Sequence, residues 1–180
     1  MEQLMKGRVF DEVFAAIKSL RSKNVRLLII GGPEEAAFEI DEMARDRSVA
    51  DLVTVYGPMS FPALAPFYSA LDLGLIALDG TRLNYFHSLP NKTFDYAAFG
   101  IPILVPRGFP NLEELVVNTK CGLIYRDLAE SISTYMVMDE VERNRHRYAA
   151  YETFTQNSWD VDSRKFLKVV SDLCASPTSR

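Results

Sequence analysis

Apolar residues along the chain follow two patterns, a helical spacing and short uninterrupted runs. The helical spacing predicts an amphipathic helix over residues 9–22, carried by Phe10, Val13, Phe14, Ile17 and Leu20. The runs are rich in Val, Ile and Leu and are bounded mostly by Gly, Pro or polar residues, which predicts β-strands. These predicted strands span residues 25–30, 52–56, 73–78, 103–105 and 121–125.

Helical patterns alternate with these strands. They cover residues 34–45, 60–71, 88–100 and 112–118, and they continue from residue 127 with breaks near Asp139 and Ser158. Apolar strands that alternate with helices predict an α/β fold, a Rossmann-like parallel sheet of about five or six strands with helices on both faces. We expect a single domain over residues 1–175 and a loose C-terminal tail over residues 176–180.

Residues 88–105 read as a polar loop, a short helix, a tight turn and a buried strand. Ser88 is a residue type that caps helix N-termini, and Pro90 suits a first helical turn. Gly100 is typical of the position just past a helix, and Pro102 prevents continuation. The stretch therefore predicts a helix with well-defined ends, followed directly by a strand.

This short helix has two different faces. Lys92 and Asp95 are three residues apart on the polar side, and the apolar side carries Phe94, Ala97, Ala98 and Ile101. A cation and a carboxylate thus lie close to the amides of a helix N-terminus. Such an arrangement suits a ligand that combines an anion with hydroxyl groups.

Other candidate ligand contacts follow the carboxyl ends of the strands, where parallel sheets bind their ligands. Gly31-Gly32 follows the first strand, and Tyr56-Gly57-Pro58-Met59 ends the second. Residues 79–89 form a longer loop containing His87 and Ser88. A tight turn accounts for the glycine pair as readily as ligand binding does, and His87 is more typical of an ordinary loop histidine than of a ligand contact.

Composition narrows the function classes. The 180 residues are 48% hydrophobic and 24% charged with a net charge of −4, so a folded domain is expected and nucleic acid is not the expected main partner. The two cysteines, Cys121 and Cys174, lie in no ligand cluster and predict neither a zinc site nor a disulfide. We expect no metal, no membrane span, no signal peptide and a cytoplasmic location.

Two nucleotide- or phosphate-related α/β domains fit the sequence poorly. A dinucleotide-binding domain needs G-x-G-x-x-G after its first strand, where this chain has Gly-Gly-Pro-Glu-Glu, and an acid after its second, where it has Tyr56. A phosphoacceptor receiver domain needs acids near its first strand, which the glycine pair does not supply.

An ordered set of short motifs resembles the C-terminal, nucleotide-sugar-binding half of a GT-B glycosyltransferase of the retaining group 1 family. The set spans nearly the whole chain. It comprises Lys6-Gly7, residues 29–32, 55–57 and 68–72, the pattern Pro90-x-Lys92-x-x-Asp95-Tyr96-x-x-x-Gly100-x-Pro102, and residues 121–124.

The resemblance implies roles for particular residues. Lys92 and Lys6 would face the diphosphate as the catalytic cations, and Asp95 would bind ribose hydroxyls. The family has a second acid seven residues before the one at Asp95, and here that position is Ser88. The remaining expected donor contacts are Gly31, Gly32, Tyr56, Gly57, Met59, His87, Ser88, Pro90 and Asn91.

The implied activity is metal-independent transfer of a sugar from a UDP- or GDP-sugar to a glycan or lipid-linked acceptor, as in polysaccharide biosynthesis. The enzyme would be of hexosyltransferase type, with the nucleotide sugar as substrate and no cofactor. We expect the N-terminal acceptor-binding half to be absent from this chain, leaving an isolated domain of weak activity, while the full-length enzyme would be peripheral to a membrane. A non-catalytic Rossmann-like interaction module and a nucleotide-sugar epimerase-type domain are the alternatives.

Overall fold

The structure, a computed structural model, describes residues 10–78, 80 and 83–175. Five short strands alternate with helices along this part of the chain. The strands are β1 (Leu27–Ile30), β2 (Val53–Tyr56), β3 (Gly74–Leu75), β4 (Ile103–Pro106) and β5 (Gly122–Tyr125). The helices are α1 (Phe10–Ser19), α2 (Glu34–Asp46), α3 (Phe61–Ser69), α4 (Leu83–Phe86), α5 (Asn91–Ala98), α6 (Pro110–Thr119), α7 (Leu128–Val137), α8 (Glu140–Gln156) and α9 (Trp159–Ala175), with a 3₁₀ turn at Arg21–Lys23.

All strand pairs in the described residues are parallel, which confirms the predicted α/β fold class. β1 pairs with β2, with Leu27 opposite Val53. β4 pairs with β3 on one side and with β5 on the other, so that Ile103 lies opposite both Gly74 and Gly122. These ladders form two sheets, because β1 and β3 are not hydrogen-bonded to each other.

The core lies in two clusters of buried side chains. One surrounds α1, where Phe14 is fully buried, and extends to Leu104 and Leu128. The other surrounds β4 and α6 and includes Ile103 and Leu112. All four residues of β4 are buried, as expected for an apolar strand with neighbours on both edges and layers on both faces.

The helix predicted over residues 88–100 is α5, and it begins later than expected. Pro90 occupies the N-cap position with φ −61° and ψ 140°. The predicted Ser88 cap is wrong, because the Ser88 hydroxyl donates to the carbonyl of Tyr85 at 2.9 Å and so belongs to the turn after α4. The far end of the helix is as predicted, with Gly100 at φ +64°.

The described part of the C-terminal region ends in an exposed helix. α9 leaves Trp159, Phe166 and Leu173 at 82%, 68% and 71% of full exposure. No described helix combines the length and apolar character that crossing a membrane requires. The tail predicted at residues 176–180 lies outside the described residues.

Candidate functional site

A glycine pair terminates β1. Gly31 has φ +120° and Gly32 has φ +75°, a region that favours glycine. The Gly31 amide donates to the Tyr56 carbonyl at 3.2 Å, which ties this turn to the end of β2. A Cβ on Gly31 would meet no atom within 4 Å, so backbone conformation rather than crowding requires glycine there.

A cavity of about 250 Å³ connects this glycine pair to the first turn of α5. Its lining includes Gly31, Gly32, Lys92 and Tyr96. The first turn of α5 closes through the Thr93 amide, which donates to the Pro90 carbonyl at 2.8 Å. Two separate parts of the chain thus bring a glycine turn and the first turn of a helix, with its half-buried lysine, to one cavity.

Asp95 lies one turn further along α5 and is half-buried. Burial raises the pKa of its carboxyl above the usual value, and the nearby positive charge of Lys92 lowers that pKa part of the way back. The two side chains are therefore close enough to interact electrostatically, as their three-residue spacing predicts. Asp95 is a carboxylate in a partly desolvated position, where hydrogen bonds to a ligand hydroxyl are stronger than in water.

Tyr68, on α3, lies next to this site. It was not among the ligand contacts predicted from the sequence. Burial raises the pKa of its phenol, and the negative charge of Asp95 raises it further. Its ring stacks on Phe99 with centroids 4.8 Å apart and meets Tyr96 edge-on at 5.8 Å. The feature of the sequence that could have indicated this contact is the aromatic residue at the start of the motif at residues 68–72, which is part of the family resemblance.

Tyr96 lies against the start of β3. A Cβ added to Gly74 would come within 2.4 Å of the Tyr96 ring, so this glycine provides the space that the ring occupies. Tyr96 also lines the cavity beside Lys92. Gly74 therefore affects the shape of that cavity indirectly, because it allows the Tyr96 ring to occupy its position.

Predicted contacts before α5 lie on a well-anchored loop. The exposed His87 has its ring edge-on to Phe86, with centroids 4.8 Å apart, and its carbonyl accepts from the Asn111 amide at 2.7 Å. Ser88 is held by Tyr85, as described above. Pro90 and Asn91 form the cap and the first residue of α5, with Asn91 exposed.

The predicted contacts after β2 lie on a separate strand end. Tyr56 is 40% exposed and packs against Phe67 at 5.4 Å between ring centroids. Gly57 lies beside α2, since a Cβ there would be 3.5 Å from the Glu34 side chain. Met59 is half-buried.

Of the predicted site residues, the cavity lining therefore brings together Gly31, Gly32 and Lys92. Asp95 is linked to this group through the charge of Lys92. Lys6 lies outside the described residues. Within residues 10–78, 80 and 83–175 there is no cluster of three His, Cys, Asp or Glu side chains that could hold a metal ion.

Comparison with known proteins gives a family. The sequence profile described as "Glycosyl transferases group 1" matches residues 6–137, well over half of the chain. The chain is similar to the solved structure of sucrose-phosphate synthase from Thermosynechococcus elongatus, with a TM-score of 0.72 and 18% identity over 93% of this chain and 43% of that one. Comparison with curated protein sequences gives no match.

Two further solved structures are similar. A glycosyltransferase from Rickettsia africae has a TM-score of 0.75 and 14% identity over 94% of this chain and 45% of that one. HepE from Anabaena, solved in complex with UDP and glucose, has a TM-score of 0.58 and 14% identity over 82% of this chain and 41% of that one. The chain spans less than half the length of each of these structures. The chain therefore belongs to the group 1 glycosyltransferase family, with the fold of one Rossmann-like half of a GT-B architecture.

Proposed function

We propose that this chain binds the nucleotide-diphosphate-sugar donor of a glycosyltransferase that needs no metal ion. The observation that carries the proposal is the cavity in which the glycine pair after β1 faces Lys92 in the first turn of α5. A glycine turn, the N-terminal turn of a helix and a half-buried cation are together complementary to a diphosphate. The complex of the similar HepE with UDP and glucose favours a uridine nucleotide.

Lys92 would act on the leaving group. When the bond between the sugar and the diphosphate breaks, negative charge develops on the departing phosphate oxygen. A cation and amide dipoles that are already aimed at this oxygen stabilise the transition state more than the ground state. This is the role that a divalent metal performs in metal-dependent transferases. Lys6 is the second cation that the family resemblance assigns to the same diphosphate.

Asp95 would bind the ribose hydroxyls of the nucleotide. It lies one helical turn beyond Lys92, and the two groups sense each other's charge. A ligand that places its diphosphate at Lys92 therefore has its ribose within the same region of α5. This pairing is the chemistry of a nucleotide, since a simple phosphate offers no hydroxyl pair for a carboxylate.

The acceptor, a glycan or lipid-linked sugar, would bind to another part of the enzyme. The chain spans 43% of the sucrose-phosphate synthase structure and 45% of the Rickettsia structure. Glycosyl transfer requires both substrates to be held in a reactive arrangement. The chain by itself therefore binds the donor and transfers sugar, of hexosyl type, poorly.

Isothermal titration calorimetry with UDP and GDP tests the donor proposal. One series contains a chelator and a second contains magnesium. We expect one of the two nucleotides to bind in both series with similar affinity. Binding that appears only with magnesium would contradict metal independence, and no binding of either nucleotide would contradict the donor site.

Ser88 favours one rival function. The resemblance places an acid at this position, and this chain has a serine whose hydroxyl is occupied by Tyr85. A Rossmann-like module that has lost donor binding and serves protein contacts would show this change. Titration with the free nucleotide and with the matching nucleotide sugar separates the two, because a donor site responds to both and a purely structural module to neither.

A further inference from the structure

The middle of α8 is attached to the edge of the sheets at which the strands begin. His146 donates from Nδ1 to the carbonyl of Lys120, two residues before β5, at 2.9 Å. Arg147 bonds to the carboxylate of Asp72, two residues before β3, at 3.3 Å. The glycine pair of the candidate donor site instead follows the carboxyl end of β1. This part of α8 therefore lies at the edge opposite the candidate donor site.

The outer face of α8 carries two large aromatic side chains. Tyr148 is 75% exposed and Tyr151 is 51% exposed. Together with the exposed residues Val141, Asn144 and Thr155 they follow the alternating spacing of three and four residues that places side chains on one stripe of a helix. Exposed stripes of this kind, rich in tyrosine, are typical of surfaces that pack against another protein.

Tyr148 stands between two hollows in this face and lines both of them. One hollow of about 460 Å³ is also lined by Arg145 and Glu152. The other, of about 390 Å³, is also lined by Tyr151 and by Phe99 at the end of α5. The same face thus has a protruding ring and spaces that can receive a ring, so its shape is complementary to itself.

Arg145 and Glu152 flank the stripe on the same side of the helix. Neither side chain forms an ion pair within the described residues. They are seven residues apart, about 10 Å along the helix axis, and therefore too distant to pair with each other. A second α8 that runs antiparallel reverses the order of the two charges. Arg145 of each copy then lies beside Glu152 of the other, and Tyr148 of each copy lies close to Tyr151 of the other.

We propose that α8 is a dimer interface, in which the outer face of this helix packs antiparallel against α8 of a second copy of the chain, with the two-fold axis beside Tyr148. A two-fold interface uses the same surface on both partners, so each favourable contact occurs twice. One helix from each copy makes a small interface, and we expect a dissociation constant on the order of 10 μM. The proposal is independent of nucleotide binding, because the interface and the candidate donor site lie at opposite edges of the sheets.

Sedimentation velocity on the 180-residue chain tests the proposal, over concentrations from about 1 to 500 μM that span the expected dissociation constant. We expect a monomer–dimer equilibrium. Arg145→Glu and Glu152→Arg each place like charges at both charge contacts, so either change should weaken dimerisation at least about tenfold. Tyr148→Ser should weaken it as well, because it removes the central ring and leaves the charges unchanged.

An equimolar mixture of the two charge variants gives the sharpest result. One copy then carries carboxylates at both positions and the other carries guanidinium groups at both, so every charge contact of the mixed dimer joins opposite charges. The mixture should dimerise with nearly wild-type affinity although neither variant does so alone. The double variant with both reversals should also regain dimerisation, because it exchanges the two charges.

Lys168→Glu is the matched control, since it reverses an exposed charge on α9 and should leave dimerisation unchanged. All three charge variants alter exposed side chains and should keep the thermal unfolding temperature of the wild-type chain. A wild-type chain that stays monomeric at every concentration would overturn the proposal. So would a dimer that neither charge variant weakens, which would place the contact on another surface such as the exposed side of α9, or a mixture that fails to recover dimerisation.

Discussion

Lys92 is the residue on which the proposed diphosphate site most depends. It is a half-buried cation in a cavity that also contains the glycine pair. We expect Lys92→Ala to lower affinity for UDP or GDP by about 1.5–3 kcal/mol, roughly ten- to 150-fold, and to lower affinity for the monophosphate much less. Lys92→Arg should restore only part of the loss, because a planar guanidinium replaces a compact ammonium. Calorimetry with the two nucleotides measures the difference.

Lys168→Ala is the matched control for this change, since it removes an exposed lysine from α9. It should leave both affinities unchanged. The preference of the wild-type chain for diphosphate should also shrink as salt is raised, because counterions screen the lysine. Equal loss of monophosphate and diphosphate binding in Lys92→Ala would assign Lys92 a structural role instead.

Asp95 links the site to stability through its raised pKa. Burial is the main cause of the increase, and Lys92 opposes it. A carboxyl with a higher pKa in the folded than in the unfolded chain favours folding at low pH, and this contribution is lost as pH rises through the raised pKa. Asp95→Asn should therefore raise Tm at about pH 7. The gain should disappear toward about pH 3, where the Asp95 carboxyl is largely protonated in both the folded and the unfolded chain.

The same position should lose binding while it gains stability. Without a carboxylate to accept hydrogen bonds from ribose, Asp95→Ala should weaken nucleotide binding by about 1.5–3 kcal/mol. Thermal unfolding and calorimetry on the same preparations measure both effects. A folded variant that retains full affinity would remove Asp95 from the proposed site, and a lower Tm for Asp95→Asn at neutral pH would contradict the sign derived from its pKa.

Lys92 and Asp95 could be predicted from the sequence because both lie within one helix. Their three-residue spacing is a local property, and the interaction between their charges is what that spacing predicts. The contact of Tyr68 with Tyr96 and Phe99 joins α3 to the α5 region and depends on tertiary packing. No periodicity in the sequence reports such a contact, so the electrostatic influence of Asp95 on Tyr68 emerged only in the structure.

At the scale of elements, the five predicted strands all appear, and the deviations have local causes. β3 pairs with β4 only over Gly74–Leu75, although residues 73–78 read as a strand, and β3 is not hydrogen-bonded to β1. α5 begins at Asn91 rather than near Ser88, because the serine hydroxyl bonds to the preceding turn. Both differences depend on which neighbour a backbone or side-chain group finds, and the apolar pattern does not encode that choice.

A substitution at Gly74 tests how β3 packs against α5. Gly74→Ala places a Cβ within 2.4 Å of the Tyr96 ring, which must move. Overpacking of this kind costs about 1–3 kcal/mol, so the free energy of unfolding should fall by that amount in urea denaturation. Because Tyr96 lines the cavity, UDP affinity should fall as well.

A double-mutant cycle isolates this contact. Tyr96→Ala removes the ring, so Gly74→Ala should cost far less stability in that background than alone. The same cost in both backgrounds would mean that the alanine acts through β3 itself and not through the ring.

At the scale of the whole molecule, the candidate donor site lies where the two sheets meet. The cavity that contains Lys92 and the glycine pair is also lined by Leu28 of β1 and Leu75 of β3. Residues from both sheets therefore contribute to the proposed diphosphate site, and its shape depends on how the two sheets pack.

Transfer activity is the property that only a larger assembly should have. The chain spans 41–45% of the similar GT-B structures, and the proposed function gives it the donor alone. A well-oriented pair of reactants lowers the barrier by about 7–11 kcal/mol relative to free encounter. We expect the 180-residue chain to bind UDP or GDP and yet to release nucleotide from the matching nucleotide sugar no faster with a panel of glycan acceptors than without them. Calorimetry and a coupled assay of nucleotide release, run on one preparation, test this. Acceptor-dependent turnover by the chain alone, at rates above about 1 s⁻¹ as in ordinary enzymes, would show that it holds both substrates and would contradict the assignment of a donor half.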